Sequence, residues 1–295
     1  MSGMHRDRMK RRERLRLLVQ LAFAALLNGY AAGFAGKTLY TGGVKRFCVP
    51  VLNCYSCPGA LGACPIGALQ TVVGRRGRVP FYVLGVLMLF GVLVGRTVCG
   101  FVCPFGLVQD LLYRLPVPKL RVPPRLDRAL RWVKYAVLAL VLLLPALLTD
   151  GYGNGAPWFC KYLCPAGTLL GGIPQLLLHR ELRTLAGGLF WWKLAVLLAV
   201  LAAAAAVSRC FCRYLCPLGA FYALFSRVTV TRMTLDPTRC TSCGTCDAVC
   251  PMALHVPTQL SGAECIRCGR CTGACPHGAI GRARPAQQHT KGEDV

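Results

Sequence analysis

Residues 212–221 read CRYLCPLGAF. The same turn, Cys-Pro-x-Gly followed by apolar residues, recurs at ACPIGAL (63–69), VCPFGLV (102–108) and LCPAGTL (163–169). One motif repeated four times predicts a repeated architecture. Three copies carry a second Cys four positions earlier, at Cys99, Cys160 and Cys212. The first copy departs from this: Cys57 precedes Cys64 by seven positions, with Cys54 and Cys48 further upstream. Pro after each Cys fixes the chain direction and removes a donor, and Gly lets another group come close to the backbone.

The stretches around these motifs set the fold class. Residues 17–36 and 79–95 hold no charge, 132–149 hold only Lys134, and 185–208 hold only Lys193, beside Trp191 and Trp192. A hydrocarbon layer of about 30 Å needs about 20 helical residues, so four transmembrane helices are expected, with the Trp pair as an interfacial belt. Of 295 residues, 55% are hydrophobic and only 16% charged, yet the net charge is +24. That balance excludes an ordinary soluble domain and a disordered chain, and it fits a multi-pass membrane protein with basic loops. An N-terminus in the cytoplasm puts most of the 35 Lys and Arg inside, and both termini are then cytoplasmic in a cell inner membrane. Arg75, Arg76 and Arg78 in the first loop run against this orientation. The first apolar run, which follows a basic segment, has a signal peptide as its alternative reading.

On this topology Cys64 and Cys164 follow spans one and three on the outer side, while Cys103 and Cys216 follow spans two and four on the inner side. The expected fold is thus an all-α bundle of four transmembrane helices built from two tandem repeats. A cubane iron–sulfur cluster needs four thiolates and each C-x3-C motif offers two, so half-sites from the two repeats are expected to pair. The inner set is Cys99, Cys103, Cys212 and Cys216. The outer set is Cys160 and Cys164 with two of Cys48, Cys54, Cys57 and Cys64. Cys57 and Cys64 are the repeat equivalents, Cys54 competes, and Cys48 is a further candidate. The plainer alternative makes Cys-Pro-x-Gly a helix-starting turn with Cys as a small apolar residue. Spare outer cysteines could also pair as a disulfide. Cys210 has no repeat partner and reads as a packing thiol.

Beyond the membrane part the cysteines crowd further. Residues 240–251 read CTSCGTCDAVCP and residues 265–276 read CIRCGRCTGACP. Each is C-x2-C-x2-C-x3-C-P, a run whose fourth Cys ligates the other of two 4Fe-4S clusters. One set is therefore Cys240, Cys243, Cys246 and Cys275, and the other is Cys265, Cys268, Cys271 and Cys250. A pair of zinc sites is the remote alternative. The expected domains are a membrane part over 1–227, a small α+β two-cluster unit over 228–282 and a polar, frayed tail over 283–295. The alternating RVTVTRMTL (227–235) is expected to open the small domain as a strand.

Other chemistry is not signalled. There is no CxxCH haem site, no GxxxxGK(S/T) loop and no His inside a long apolar run. No carboxylate pair, Ser-His-Asp set or zinc signature suggests bond-making catalysis, and no nucleic-acid partner is expected.

CGFVCPFG, CRYLCPLG and the tandem C-terminal runs resemble the NapH/NosR-type family of membrane polyferredoxins, and residues 228–282 resemble bacterial two-cluster ferredoxins. The first resemblance covers most of the chain. It implies an iron–sulfur electron-transfer protein, a component of an oxidoreductase system rather than a stand-alone enzyme. Electrons would pass between a cytoplasmic donor, such as a ferredoxin or flavodoxin, and a membrane or extracytoplasmic acceptor, a quinone or an oxidoreductase. Two 4Fe-4S clusters are expected in the C-terminal domain and up to two more in the membrane part. The Cys-rich loop CVPVLNCYSCPGALGACP (48–65) and CKYLCP (160–165) depart from the simplest family pattern and favour a conduit reaching the outer face. Two alternatives remain. One is a quinol dehydrogenase subunit with a cleft at Arg96, Gln109, Asp110 and Tyr113. The other is an iron–sulfur redox sensor or assembly subunit.

Overall fold

The computed structural model describes residues 3–75, 79–150, 154–184 and 186–282, with side chains from residue 7 onward. The polar tail over 283–295, and Arg76 and Arg78 of the first loop, lie outside the described residues.

All four Cys-Pro motifs fold alike at the start. Cys64, Cys103, Cys164 and Cys216 each sit in extended backbone just ahead of a helix whose first residue is the following Pro. That is the helix position where a missing N–H costs nothing and the Pro φ is already helical. The helices run Pro65–Val73, Pro104–Leu112 and Pro217–Leu224, while Pro165–Gly167 passes at once into a wider π-helical turn, Thr168–Gly172.

The chain is mainly helical, and among the described residues two helices are long and apolar enough to cross a membrane: Pro124–Leu147 and Gly188–Ala206. They correspond to the third and fourth expected spans. The first two differ from expectation. The N-terminal helix Gly3–Leu27 ends inside the uncharged 17–36 run. There the Asn28 side chain donates to Ala24 O (3.1 Å), and the loop before Cys64 takes over the helix end through Leu61 N–H to Leu27 O (3.0 Å). A short helix, Ala32–Ala35, follows. The helix in the second expected span, Phe81–Leu93, has 13 residues, about 20 Å at 1.5 Å per residue. Pro80 precedes its start, and Gly95, at φ 52°, turns the chain away after it. Absence of charge marked these runs as apolar but said nothing of the polar and glycine punctuation that cuts them.

The small C-terminal unit is closed by two antiparallel strands, Met233–Leu235 and Ile280–Arg282, in the register Met233↔Arg282. They bracket both cysteine runs. Only the last three residues of RVTVTRMTL form the strand. The rest is drawn onto the end of the Phe81–Leu93 helix, with Val230 N–H to Val92 O (2.9 Å), Thr229 Oγ1 to Gly91 O (2.9 Å) and Thr231 Oγ1 to Leu93 O (2.9 Å). β-branched Thr and Val served here to cap helical carbonyls.

The loop between the first two helices does not stay at the surface. Val51, Leu52 and Asn53 are buried, and Tyr222, itself buried, donates its hydroxyl to Pro50 O (2.9 Å). One apolar core runs from this loop through Cys99, Cys103 and Cys216 to Ile266 of the small domain.

Candidate metal centres

Sixteen of the nineteen cysteines line four cavities, four thiols to each. None of the nineteen forms a disulfide. In the small domain Cys240, Cys243, Cys246 and Cys275 surround one cavity, and Cys250, Cys265, Cys268 and Cys271 surround another. The two runs share a backbone device. Ser242 and Arg267, one residue before the second Cys, and Gly244 and Gly269, one residue after it, all have positive φ. This left-handed zigzag curls the chain so that three successive Cys face inward. It comes easily to Gly and costs Ser and Arg some strain. Ala279 N–H donates to Cys275 Sγ (3.3 Å). Burial, with Cys268 alongside, pushes the Cys271 thiol up to about 12. A lone thiolate is therefore disfavoured there, and a cationic metal core would supply the missing stabilisation.

The cavity expected on the inner side, called the inner cavity below, is lined by Cys99, Cys103, Cys212 and Cys216, all buried. It is held by a reciprocal exchange between the two halves of the chain. Arg96, three residues before Cys99, donates to Cys212 O (3.2 Å). Arg209, three residues before Cys212, donates to Cys99 O (2.7 Å). Both guanidiniums are fully buried and find carboxylates: Arg96 meets Glu264 (2.8 Å), and Arg209 meets Asp110 (2.9 Å), which Arg16 also contacts (3.2 Å). Burial pushes the Asp110 carboxyl up, but Arg209 and Arg16 outweigh it and hold the group well below the usual carboxylate range.

Glu264 also pairs with the buried Lys134, and Arg131 donates to Met252 O (3.0 Å). These contacts fasten the small domain to the inner site. The approach is close: a Cβ on Gly100 would lie 2.9 Å from Ile266 O.

The outer cavity gathers Cys54, Cys64, Cys160 and Cys164. Of the alternatives the sequence left open, this lining selects Cys54. Cys57, favoured as the repeat equivalent, does not line it, and Cys54 does. Cys57 N–H donates to Cys54 O (3.1 Å), and this turn leaves Cys57 buried against Gly59 and Ala60, near Lys45. Cys48 is also buried outside the four cavities, with Sγ 4.0 Å from Val49 O. Cys210 is buried outside the four cavities, with Sγ 3.7 Å from Val200 O. The outer cavity differs from the others in size, ≈ 250 Å³ against ≈ 10 to ≈ 20 Å³, and in lining, which includes Asn53, Tyr55, Ser56, Gln175 and Lys193.

The proposed quinol cleft is not formed from the residues expected. Arg96, Gln109 and Asp110 are buried and committed to the partners of the inner site, and Tyr113 stands over the Lys119 ammonium (4.4 Å).

Among the described residues no three His, Cys, Asp or Glu groups could share a single metal ion. A zinc ion draws its ligand sulfurs to about 2.3 Å from one centre. Four thiols spread around one cavity, with no three of them close enough to share an ion, suit the wider core of an iron–sulfide cluster. Backbone and side-chain N–H groups aimed at the sulfurs add to that fit, as Gly167 to Cys164 (3.3 Å) and Gly219 to Cys216 (3.3 Å) illustrate. The donor set thus fits a cubane better than a lone zinc ion.

Comparison with known proteins points the same way. A family described as a 4Fe-4S binding domain matches residues 62–82, 79–123, 135–183 and 189–235, one segment for each Cys-Pro motif, and a second 4Fe-4S binding domain family matches 262–281. An uncharacterized protein of Methanocaldococcus jannaschii is 30% identical over 187 residues, which cover 61% of this chain and 69% of the relative. The methylamine utilization ferredoxin-type protein MauN of Paracoccus denitrificans is 32% identical over 55% of this chain and 51% of its own length. The regulatory protein NosR of Pseudomonas aeruginosa is 33% identical over 44% of this chain and 16% of its own. The chain spans about half to six tenths of the length of several further relatives. No solved structure matches it.

Proposed function

The chain belongs to the 4Fe-4S binding domain family, and from that premise we propose that it is a membrane-bound electron-transfer protein with four 4Fe-4S sites. Electrons would move between a cytoplasmic donor, such as a ferredoxin or flavodoxin, and a membrane or extracytoplasmic acceptor. The observation that carries this reading is the grouping of sixteen cysteines into four cavities of four. When bound, the clusters supply one-electron transfer, and the protein's task is to hold them near one another and set their surroundings.

This reading orders the sites along one path. Cys243 of the Cys240 set is exposed, where a soluble protein can approach. The Cys250 set packs on the core that contains Cys99 and Cys103. Leu52 lines both the inner and the outer cavity. The order is therefore Cys240 set, Cys250 set, inner set, outer set. In the outer set the ligands of this reading are Cys54, Cys64, Cys160 and Cys164.

The same reading places the protein in the cell inner membrane with both termini cytoplasmic. The Pro124–Leu147 and Gly188–Ala206 helices would span it, and the shorter apolar segments of the first half would complete a tandem repeat. The bias of basic residues supports this orientation. The small domain would begin near residue 228.

Iron and acid-labile sulfide per chain, with EPR of the reduced protein, test the proposal. About sixteen iron atoms are expected from four cubanes, and about eight would leave only the C-terminal pair.

A second reading, a quinol dehydrogenase subunit, is favoured by the outer cavity alone. Its extra room is bordered by Lys193, Gln175 and Ser56, and by the buried Asn53, whose Oδ1 has no hydrogen-bond partner. Reduction of the purified protein by added quinol would support that reading. Reduction only by low-potential soluble donors would count against it.

A further inference from the structure

Two glutamines occupy equivalent places in the inner and outer sites. Each lies six residues after the Cys of a first-half motif, in CPIGALQ (64–70) and CPFGLVQ (103–109). The second-half motifs have Leu170 and Tyr222 there instead. Both amides are fully buried. Gln70 Nε2 donates to Cys160 Sγ (3.4 Å), and its Oε1 accepts from Phe159 N–H (2.9 Å). Gln109 Nε2 donates to Cys212 Sγ (3.1 Å), and its Oε1 accepts from Phe211 N–H (3.1 Å). In each case the glutamine belongs to the first half of the chain, and the sulfur and the amide it grips belong to the second.

These are not generic core contacts. A buried amide is satisfied most cheaply by its own helix, and each Nε2 does reach the carbonyl four residues back, Ile66 O (3.2 Å) or Phe105 O (3.3 Å). The side chain nonetheless spans to the opposite half-site in the same way twice. The acceptor it meets is the first Cys of the C-x3-C pair, at the atom that would bind iron. A hydrogen bond to such a sulfur draws off electron density and favours the more negative, reduced cluster, which raises its potential. The oxygen end meanwhile caps the N–H just before that Cys and fixes where the sulfur stands.

We propose that Gln70 and Gln109 are a matched pair of tuning and positioning residues. Each locks one half-site to the other and raises the reduction potential of its own membrane-domain cluster. This rests on the four-site reading above. A leucine at either position removes both ends of the bridge, whereas glutamate keeps the acceptor for Phe159 or Phe211 N–H and exchanges the donor for a negative charge. The glutamate variants therefore separate tuning from simple support.

The test is an EPR-monitored redox titration of the full-length protein and of Q70L, Q70E, Q109L and Q109E, with iron counted in each. The wild-type iron content is read first: about eight iron atoms would sink the four-site reading itself. With all four sites filled, the Gln109 variants should lower the potential of the inner cluster more than that of the outer, and the Gln70 variants should do the reverse. The expected size is about tenfold in the reduced-to-oxidised ratio at fixed poise, or about 59 mV for one electron, with glutamate shifting further than leucine. Full iron content with unmoved potentials would overturn the tuning role. Loss of the same cluster from both the leucine and the glutamate variant would overturn it too, leaving these residues as structural ties only.

Discussion

The inner and outer membrane-domain sites start from one motif and end as different places. The inner site is closed and nearly symmetric. Arg96 and Arg209 exchange hydrogen bonds across it, and Cys99, Cys103, Cys212 and Cys216 close round a space of ≈ 10 Å³. The outer site takes one cysteine from a buried loop, carries its second half on π-helical turns, Phe159–Leu163 and Thr168–Gly172, and opens to ≈ 250 Å³ beside Lys193. π-Turns recur at functional sites because they widen a helix and re-aim its side chains. The contrast teaches that repetition supplied the cysteine pairs, while local departures from it decided which site is closed and which is left open to its surroundings.

The sharpest way to break this comparison is at the cysteines. Cys103→Ser should remove about four iron atoms from the inner site and leave the outer one intact, while Cys54→Ser should do the opposite. Cys57→Ser should cost no iron, and if it cost as much as Cys54→Ser the outer assignment would be wrong. Iron and sulfide analysis decides between them.

Next in size is the buried ion pair that braces only the inner site. Asp110→Asn leaves Arg209 and Arg16 buried without their carboxylate, and breaking such a pair costs about 3–5 kcal/mol. Thermal unfolding in detergent should show the loss. Because the Asp110 carboxyl is held below its ordinary range, its contribution is present above that range and disappears as pH falls through the depressed value. The variant and the parent should therefore converge in stability only in strong acid.

A smaller effect is expected where the domains touch. Gly100→Ala forces a Cβ against Ile266 O at 2.9 Å, and overpacking of this kind costs about 1–3 kcal/mol. Protection of the small domain from limited proteolysis should fall, while the outer site keeps its iron.

The smallest effect belongs to the open site. Removing the cation in Lys193→Gln should lower the outer potential and leave the inner one nearly unmoved, read in the same EPR titration. Equal shifts at both sites would erase the distinction drawn between them.

Part of this was legible in the residues and part was not. The C-x2-C-x2-C-x3-C-P spacing is short-range and prescribes which thiols can converge, and Cys250, Cys265, Cys268 and Cys271 do line one cavity. The pairing of Cys99 and Cys103 with Cys212 and Cys216 needed the repeat as well. The choice of Cys54 over Cys57 lay beyond both arguments, because the loop from Cys48 to Cys64 has no periodicity and its path depends on burial of Val51 and Leu52. The ends of the first two apolar runs were missed because Asn28 acts by a side-chain bond to a helix carbonyl and Pro80 by its fixed φ, and a count of charges registers neither. Gln70 and Gln109 did leave a signal, a Gln six residues after Cys in the first half only, and it becomes readable once the partner sulfurs are known.

Leu52 gives a single side chain to the walls of two cavities. Clusters held in both, as proposed, would feel each other's charge, and an electron arriving at one would make the neighbour harder to reduce. Midpoints measured for either would then describe the couple jointly, as with acids sharing a proton.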